Sequence, residues 1–284
     1  MLGPASGERM SGSDDTRPRS GPRRRLLAGG LGAAALGALL LGAWVLGAWV
    51  LGAGLLGHGV PGAGRILGTE DAARRNRQIA DAHLAARLPA IRAALAAARP
   101  GFLFLAGNSH AELLGNALAS RADVVNGGIG GTSARRYAGE IEGLSVPVRA
   151  GVGVLFVGTN DILRRADPLS ARTAGGFAAA TARLLTWLGA HADRVLVAAV
   201  PPIGPGAEAE RDPAAVAAYT AILRGLCARQ GCRVFDPFAD LRDGPPGLTT
   251  RAVPPDGVHL RDYDALAAGL ETQLRALTAV PPPD

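Results

Sequence analysis

From residue 100 onward the chain alternates two hydrophobic rhythms. Short apolar runs at 102–106, 123–126, 152–157, 194–200 and 233–235 are separated by stretches of helical periodicity at 111–120, 134–144, 170–190, 213–230 and 263–277. Runs of three to seven residues between helices predict strands buried on both faces, and strict alternation with helices predicts a parallel sheet covered on each side. Upstream, residues 69–99 carry apolar positions at Ile79, Leu84, Leu88, Ile91 and Leu95, with Pro89 between them. This pattern predicts a pair of helices broken or kinked at the proline.

Two earlier stretches do not read as part of that domain. Residues 1–25 hold six arginines, three acids and many Gly, Pro and Ser, too little apolar material to offset the entropy of ordering. They predict a disordered basic tail. Residues 26–57 contain no charge over 32 positions, whereas a spanning helix needs about 20 apolar residues and a cleavable signal core only about 7 to 15. The segment predicts a transmembrane anchor, and the arginines before it place the amino terminus in the cytoplasm. Glycine recurs every fifth residue from Gly32 to Gly57; a five-residue step turns about 140° around a helix, so these glycines spiral instead of lining one face. Residues 58–99 then form a linker and juxtamembrane helices, and 100–284 the main domain, on the periplasmic or extracellular side.

Composition narrows the partners. The tail supplies half of the net charge of +6, and no basic stripe interleaved with aromatics follows it, so nucleic acid is not an expected partner. Membrane lipid around the anchor is. Cys227 and Cys232 lie five apart, which fits either a disulfide at a helix-to-strand turn or two buried thiols. Phe177 and Trp187 fall on the core side of a long helix.

Chemistry in an open parallel sheet belongs to the loops after the strand ends. The first run ends at Gly107-Asn-Ser109, and the second at Asn126-Gly-Gly-Ile-Gly-Gly-Thr132, whose glycines let backbone N–H groups face a bound oxygen. The third leads to Gly158-Thr-Asn-Asp161, and the fifth to Asp256-Gly-Val-His259. A serine, a histidine and an acid spaced to orient that histidine supply nucleophile, base and base-holder for acyl transfer. His58 and His83 precede the domain, His191 lies before the fourth strand, and His110 diverges from Ser109 in the opening turn of its helix, which leaves His259 as the base. Arg135, Arg136, Arg164 and Arg165 are candidates for a substrate rim suited to an anion, against the alternative of a solvated surface.

These four blocks resemble the SGNH hydrolases, also called the GDSL esterase and lipase superfamily, over residues 100–278. The resemblance implies a three-layer α/β/α flavodoxin-like fold, five parallel strands in the order 2-1-3-4-5, and neither metal nor cofactor. It implies that Ser109 is the nucleophile, His259 the general base and Asp256 its partner, with Ser109 N–H, Gly128 N–H and the Asn160 amide forming the oxyanion hole. The first block departs from the family's usual Gly-Asp-Ser-Leu in carrying Asn108 and His110. The expected activity is a membrane-anchored serine esterase acting on an acyl ester, such as acetyl groups on an envelope or exported polysaccharide. An O-acetyltransferase with the same triad and a non-catalytic assembly factor are the alternatives.

Overall fold

The computed structural model describes residues 64–251 and 255–278. The expected tail and membrane anchor lie outside the described residues; among those described, no helix is long and apolar enough to cross a membrane. The chain begins with α1 (Gly64–Ala97). It then alternates through β1 (Leu103–Gly107), α2 (Ser109–Ala117), β2 (Val124–Gly128), α3 (Ala134–Ile141), β3 (Ala150–Phe156), α4 (Ala171–His191), β4 (Ala192–Ala198), α5 (Pro213–Gln230), β5 (Arg233–Phe235) and α6 (Tyr263–Thr278).

The five strands form one parallel sheet in the order β2-β1-β3-β4-β5. Burial divides between the two faces of this sheet. Leu103 and Leu105 face one side, with Leu114 of α2, Leu118 at its C-cap, and Leu266 and Leu270 of α6. Phe104 and Ala106 face the other, with Ile91 of α1, Tyr137 of α3, Leu184 of α4 and Tyr219 of α5. Period-two alternation on strands that are apolar on both faces is what a sheet sandwiched between helices requires. Because β1 has β2 on one side and β3 on the other, the chain reverses direction across the sheet at the carboxyl end of β1. Open α/β sheets place their binding crevice at such a reversal, and Ser109 follows β1 there.

The expected helix pair at 69–99 is a single helix, with Pro89 inside it. An internal proline removes one backbone hydrogen bond and crowds the preceding turn. Here the helix is pinned on both sides of the proline, since Leu84 before it and Ile91 and Leu95 after it are buried in the same cluster. That burial also makes α1 a layer of the domain and not a spacer before it. Of the two readings for the cysteines, the structure has the disulfide: Cys227 and Cys232 are joined with their Cα atoms 4.5 Å apart. Gly231 caps α5 in the left-handed region at φ 73°, turning the chain into β5 at the end of the sheet opposite the crevice.

Candidate active site

The site is assembled from the loops that follow β1, β2, β3 and β5. Gly107 ends β1 at φ +123°, and a Cβ there would fall 1.9 Å from the carbonyl oxygen of Phe156. Only glycine fits so tight an exit from the strand. Asn108 then donates its N–H to that carbonyl at 2.9 Å, and its Oδ1 accepts from His110 N at 3.0 Å, which caps α2. Asparagine and aspartate are equally good at this position of a helix. The departure from the family's acid therefore keeps the cap and removes a negative charge beside the serine. Ser109 is the first residue of α2, where backbone N–H groups have no partner within the helix.

Asp256 and His259 meet Ser109 from the other end of the chain. Nε2 of His259 lies 2.9 Å from Ser109 Oγ, and Nδ1 lies 2.7 Å from Asp256 Oδ2. The second carboxylate oxygen of Asp256 accepts the backbone N–H groups of Val258 at 2.9 Å and His259 at 3.1 Å. Burial alone would raise the pKa of Asp256, but the bond from His259 and the two backbone N–H groups outweigh it and hold the carboxyl well below the usual carboxylate range. An ionised carboxylate only accepts, so Nδ1 of His259 carries the proton and Nε2 faces the serine as an acceptor. The loop is seated by Gly257, whose carbonyl accepts Gly204 N–H at 2.8 Å.

Asn160 is held from both ends of its amide. Its Nδ2 donates to Thr132 O at 3.1 Å, and its Oδ1 faces Arg211 Nη2 at 3.4 Å. Arg211 is only 7% exposed and also donates Nε to Thr159 O at 3.1 Å. A guanidinium can pair only with the oxygen, so it fixes which end of the amide is the donor and leaves one N–H of Nδ2 available.

Gly128 does not offer the free N–H expected of it. Ile129 N–H bonds to Gly107 O of β1 at 2.8 Å; successive peptides of a strand point to opposite sides, so the Gly128 N–H points outward, away from β1 and Ser109. It donates there to Asn126 Oδ1 at 3.2 Å. Gly130 N–H is taken by Glu112 Oε2 at 2.7 Å. The next donor in the loop is Gly131, exposed and at φ +74°. A Cβ on Gly130 would lie 3.7 Å from that of Ser109, so this part of the loop adjoins the serine.

The four candidate rim arginines separate into pairs. Arg136 forms an ion pair with Asp81, and Arg164 donates to Glu208 O at 2.8 Å; both are bound within the protein. Arg135 and Arg165 are exposed. His110 does not simply diverge. It is 1% exposed, its ring centroid is 5.8 Å from that of His259, and Nδ1 pairs with Tyr263 Oη at 3.0 Å. Burial and the neighbouring His259 push its pKa down to about 3, so it stands behind the site as a neutral ring.

Asp161 bridges two of the loops, accepting Ala134 N–H at 2.9 Å at the start of α3 and Gly158 N–H at 3.2 Å. Burial raises its pKa from 3.8 to about 7 against the pull of those two N–H groups. The folded state then holds a proton that the unfolded chain releases, so its stability contribution is fully present below pH 3.8 and is lost as pH rises through about 7. Asp161→Asn is expected to flatten the fall in melting temperature between those two pH values. Parallel slopes in both proteins would refute it.

Comparison with known proteins agrees with this fold. The model of the GDSL-like Lipase/Acylhydrolase family matches residues 96–263. Among solved structures, a protein of Streptococcus pneumonia is similar at a TM-score of 0.56 and 15% identity, over 85% of this chain and 100% of that one. A GDSL-like lipase from Bacteroides thetaiotaomicron is similar at 0.52 and 16%, over 62% and 88%. The lipase/acylhydrolase from Enterococcus faecalis is similar at 0.50 and 16%, over 63% and 97%. At these identities the likeness is one of fold. No curated protein matches the sequence.

Proposed function

Since the chain belongs to the GDSL-like lipase/acylhydrolase family, a family of ester hydrolases, we propose that Ser109 is its nucleophile, His259 the base and Asp256 the residue that orients it. One observation carries this reading: the unbroken line from Asp256 Oδ2 through His259 to Ser109 Oγ, at 2.7 and 2.9 Å. As Oγ attacks the acyl carbon, its proton passes to His259 Nε2 and the carbonyl oxygen becomes an oxyanion. The N–H groups of Ser109 and Gly131 and the free amide hydrogen of Asn160 receive that charge. Collapse breaks the ester bond, the leaving alcohol takes the proton from His259, and the acyl group stays on Ser109. Water then gives a proton to His259 and its oxygen to the acyl carbon, and the acid departs as Oγ regains its proton.

The substrate we propose is a short acyl ester, acetyl foremost, on a polysaccharide of the cell envelope. Two features support that location: the uncharged segment at 26–57, read as a membrane anchor, and the disulfide Cys227–Cys232, since disulfides persist mainly outside the cytoplasm. The test is a series of p-nitrophenyl esters with acetyl, butyryl and decanoyl groups, together with an O-acetylated polysaccharide. The expected result is the highest kcat/KM on the acetyl ester and release of free acetate from the polysaccharide. A preference for the decanoyl ester would contradict the short-acyl reading, and transfer of the acetyl group to a sugar hydroxyl without free acetate would make the protein a transferase.

A further inference from the structure

Glu112 lies one helical turn beyond Ser109 on α2, and its side chain is 14% exposed. Its Oε2 accepts Gly130 N–H at 2.7 Å and lies 2.9 Å from His83 Nε2; its Oε1 lies 3.5 Å from Arg87 Nε. His83 and Arg87 are four apart on α1, so both project from one face of that helix. Arg87 also reaches along the outer edge of β2. Its Nη2 donates to Asn126 O at 3.0 Å and to Gly128 O at 2.8 Å. β2 is the edge strand of the sheet, and the guanidinium occupies the carbonyls that a further strand would have paired.

The glycine loop has little means of fixing its own shape. Gly127, Gly128, Gly130 and Gly131 have no side chains to pack, and free glycine populates a wide range of conformations. Its internal side-chain tethers run from Gly128 N–H to Asn126 Oδ1 at 3.2 Å and from Thr132 Oγ1 to Ile129 O at 2.7 Å, and neither holds Gly130 or Gly131. Glu112 fixes the peptide immediately before the donor proposed for the oxyanion. Burial opposes ionisation of Glu112, but the bond from His83, the charge of Arg87 and the Gly130 N–H keep its carboxyl below the usual range. It is thus an anion aimed at a backbone N–H. The family match begins at residue 96, so the helix that steadies this anion lies almost wholly before the matched span.

We infer that Glu112 is a positioning residue for the oxyanion loop, held in its working orientation by His83 and Arg87 of α1. The inference rests on the proposed role of Gly131 and Asn160 in receiving the oxyanion. Glu112 touches no reacting atom; it acts through the Ile129–Gly130 peptide. α1 is then part of the catalytic frame.

The test is steady-state hydrolysis of p-nitrophenyl acetate by the full-length protein, with melting temperature measured in parallel. For Glu112→Ala, kcat is expected to fall by about 10- to 100-fold with KM little changed, the effect of a misplaced catalytic group. Glu112→Gln keeps an acceptor for Gly130 N–H and should recover most of that loss. A role in folding alone would lower the melting temperature in both variants and leave kcat intact. Full kcat in folded Glu112→Ala, or equal losses in the Ala and Gln variants, would overturn the inference. If Glu112→Ala does not fold, His83→Leu, at a side chain 19% exposed, decides instead: a lower kcat at unchanged melting temperature supports the inference and an unchanged kcat refutes it. Activity surviving Ser109→Ala would defeat the proposed nucleophile, a separate outcome from loss of the Glu112 effect alone.

Discussion

Replacing Ser109 by alanine is expected to lower kcat on p-nitrophenyl acetate by about 10⁴- to 10⁶-fold, the range seen when a member of such a triad is removed. The change deletes one atom, the oxygen that His259 faces at 2.9 Å. Everything around it is independent of that atom. Gly107 and Asn108 still fix the strand exit, Asn108 still caps α2, and alanine is the best helix former for the first position. The backbone N–H that helps receive the oxyanion also stays. Melting temperature should therefore change little while turnover collapses, a combination that kinetics and a thermal melt on the same sample establish. A proportionate fall in both would mean that the serine is structural.

Asp256→Asn is expected to cost about 10⁴-fold in kcat, through the tautomer of the histidine and not through its position. The asparagine oxygen can keep the bonds from Val258 and His259 N–H that Asp256 Oδ1 now accepts. Its amide nitrogen then faces Nδ1 of His259 where Oδ2 now accepts at 2.7 Å. Facing a donor, Nδ1 gives up its proton and Nε2 retains one, so the ring can no longer take the proton of Ser109. KM on the same ester should hold, because no substrate contact is removed. An unaltered kcat would show that His259 is oriented by other groups, and Asp256 would lose its assigned role.

The sheet was legible because its strands are apolar on both faces and its connections are helices. Its edges were less so. β3 begins at Ala150, two residues early, where Gly151 and Gly153 interrupt the apolar signal, and β4 follows α4 with no intervening loop. α2 starts at Ser109 and not at 111, because the Asn108 cap that opens it leaves no mark on hydrophobic periodicity. Ser109, His259, Asp256 and Asn160 could be named from the loops after strand ends, and the structure brings all four to one end of the sheet. Which glycine presents a free N–H could not be read from spacing. That depends on the side of β2 toward which each peptide points, and the Ile129 N–H bond to Gly107 O sets it.

Contacts distant in sequence carried no local signal. Arg211 sits among charged neighbours in Glu210-Arg211-Asp212 and reads as solvated, yet it is buried against Thr159 and Asn160. His83 and Arg87 left a fainter trace: they flank Leu84 and share its helical stripe with Ile91, the side that turns inward. Polar residues on an apolar stripe mark a buried polar contact, and their partner Glu112 lies one turn from the serine.

The central claim is that Ser109 is activated by His259, and covalent labelling tests it most directly. Full-length protein treated with a fluorophosphonate should gain one phosphonyl group, located by peptide mass spectrometry on Ser109, and the His259→Ala variant should remain unlabelled under the same conditions. A label on another residue, or equal labelling of Ser109 without the histidine, would contradict the account.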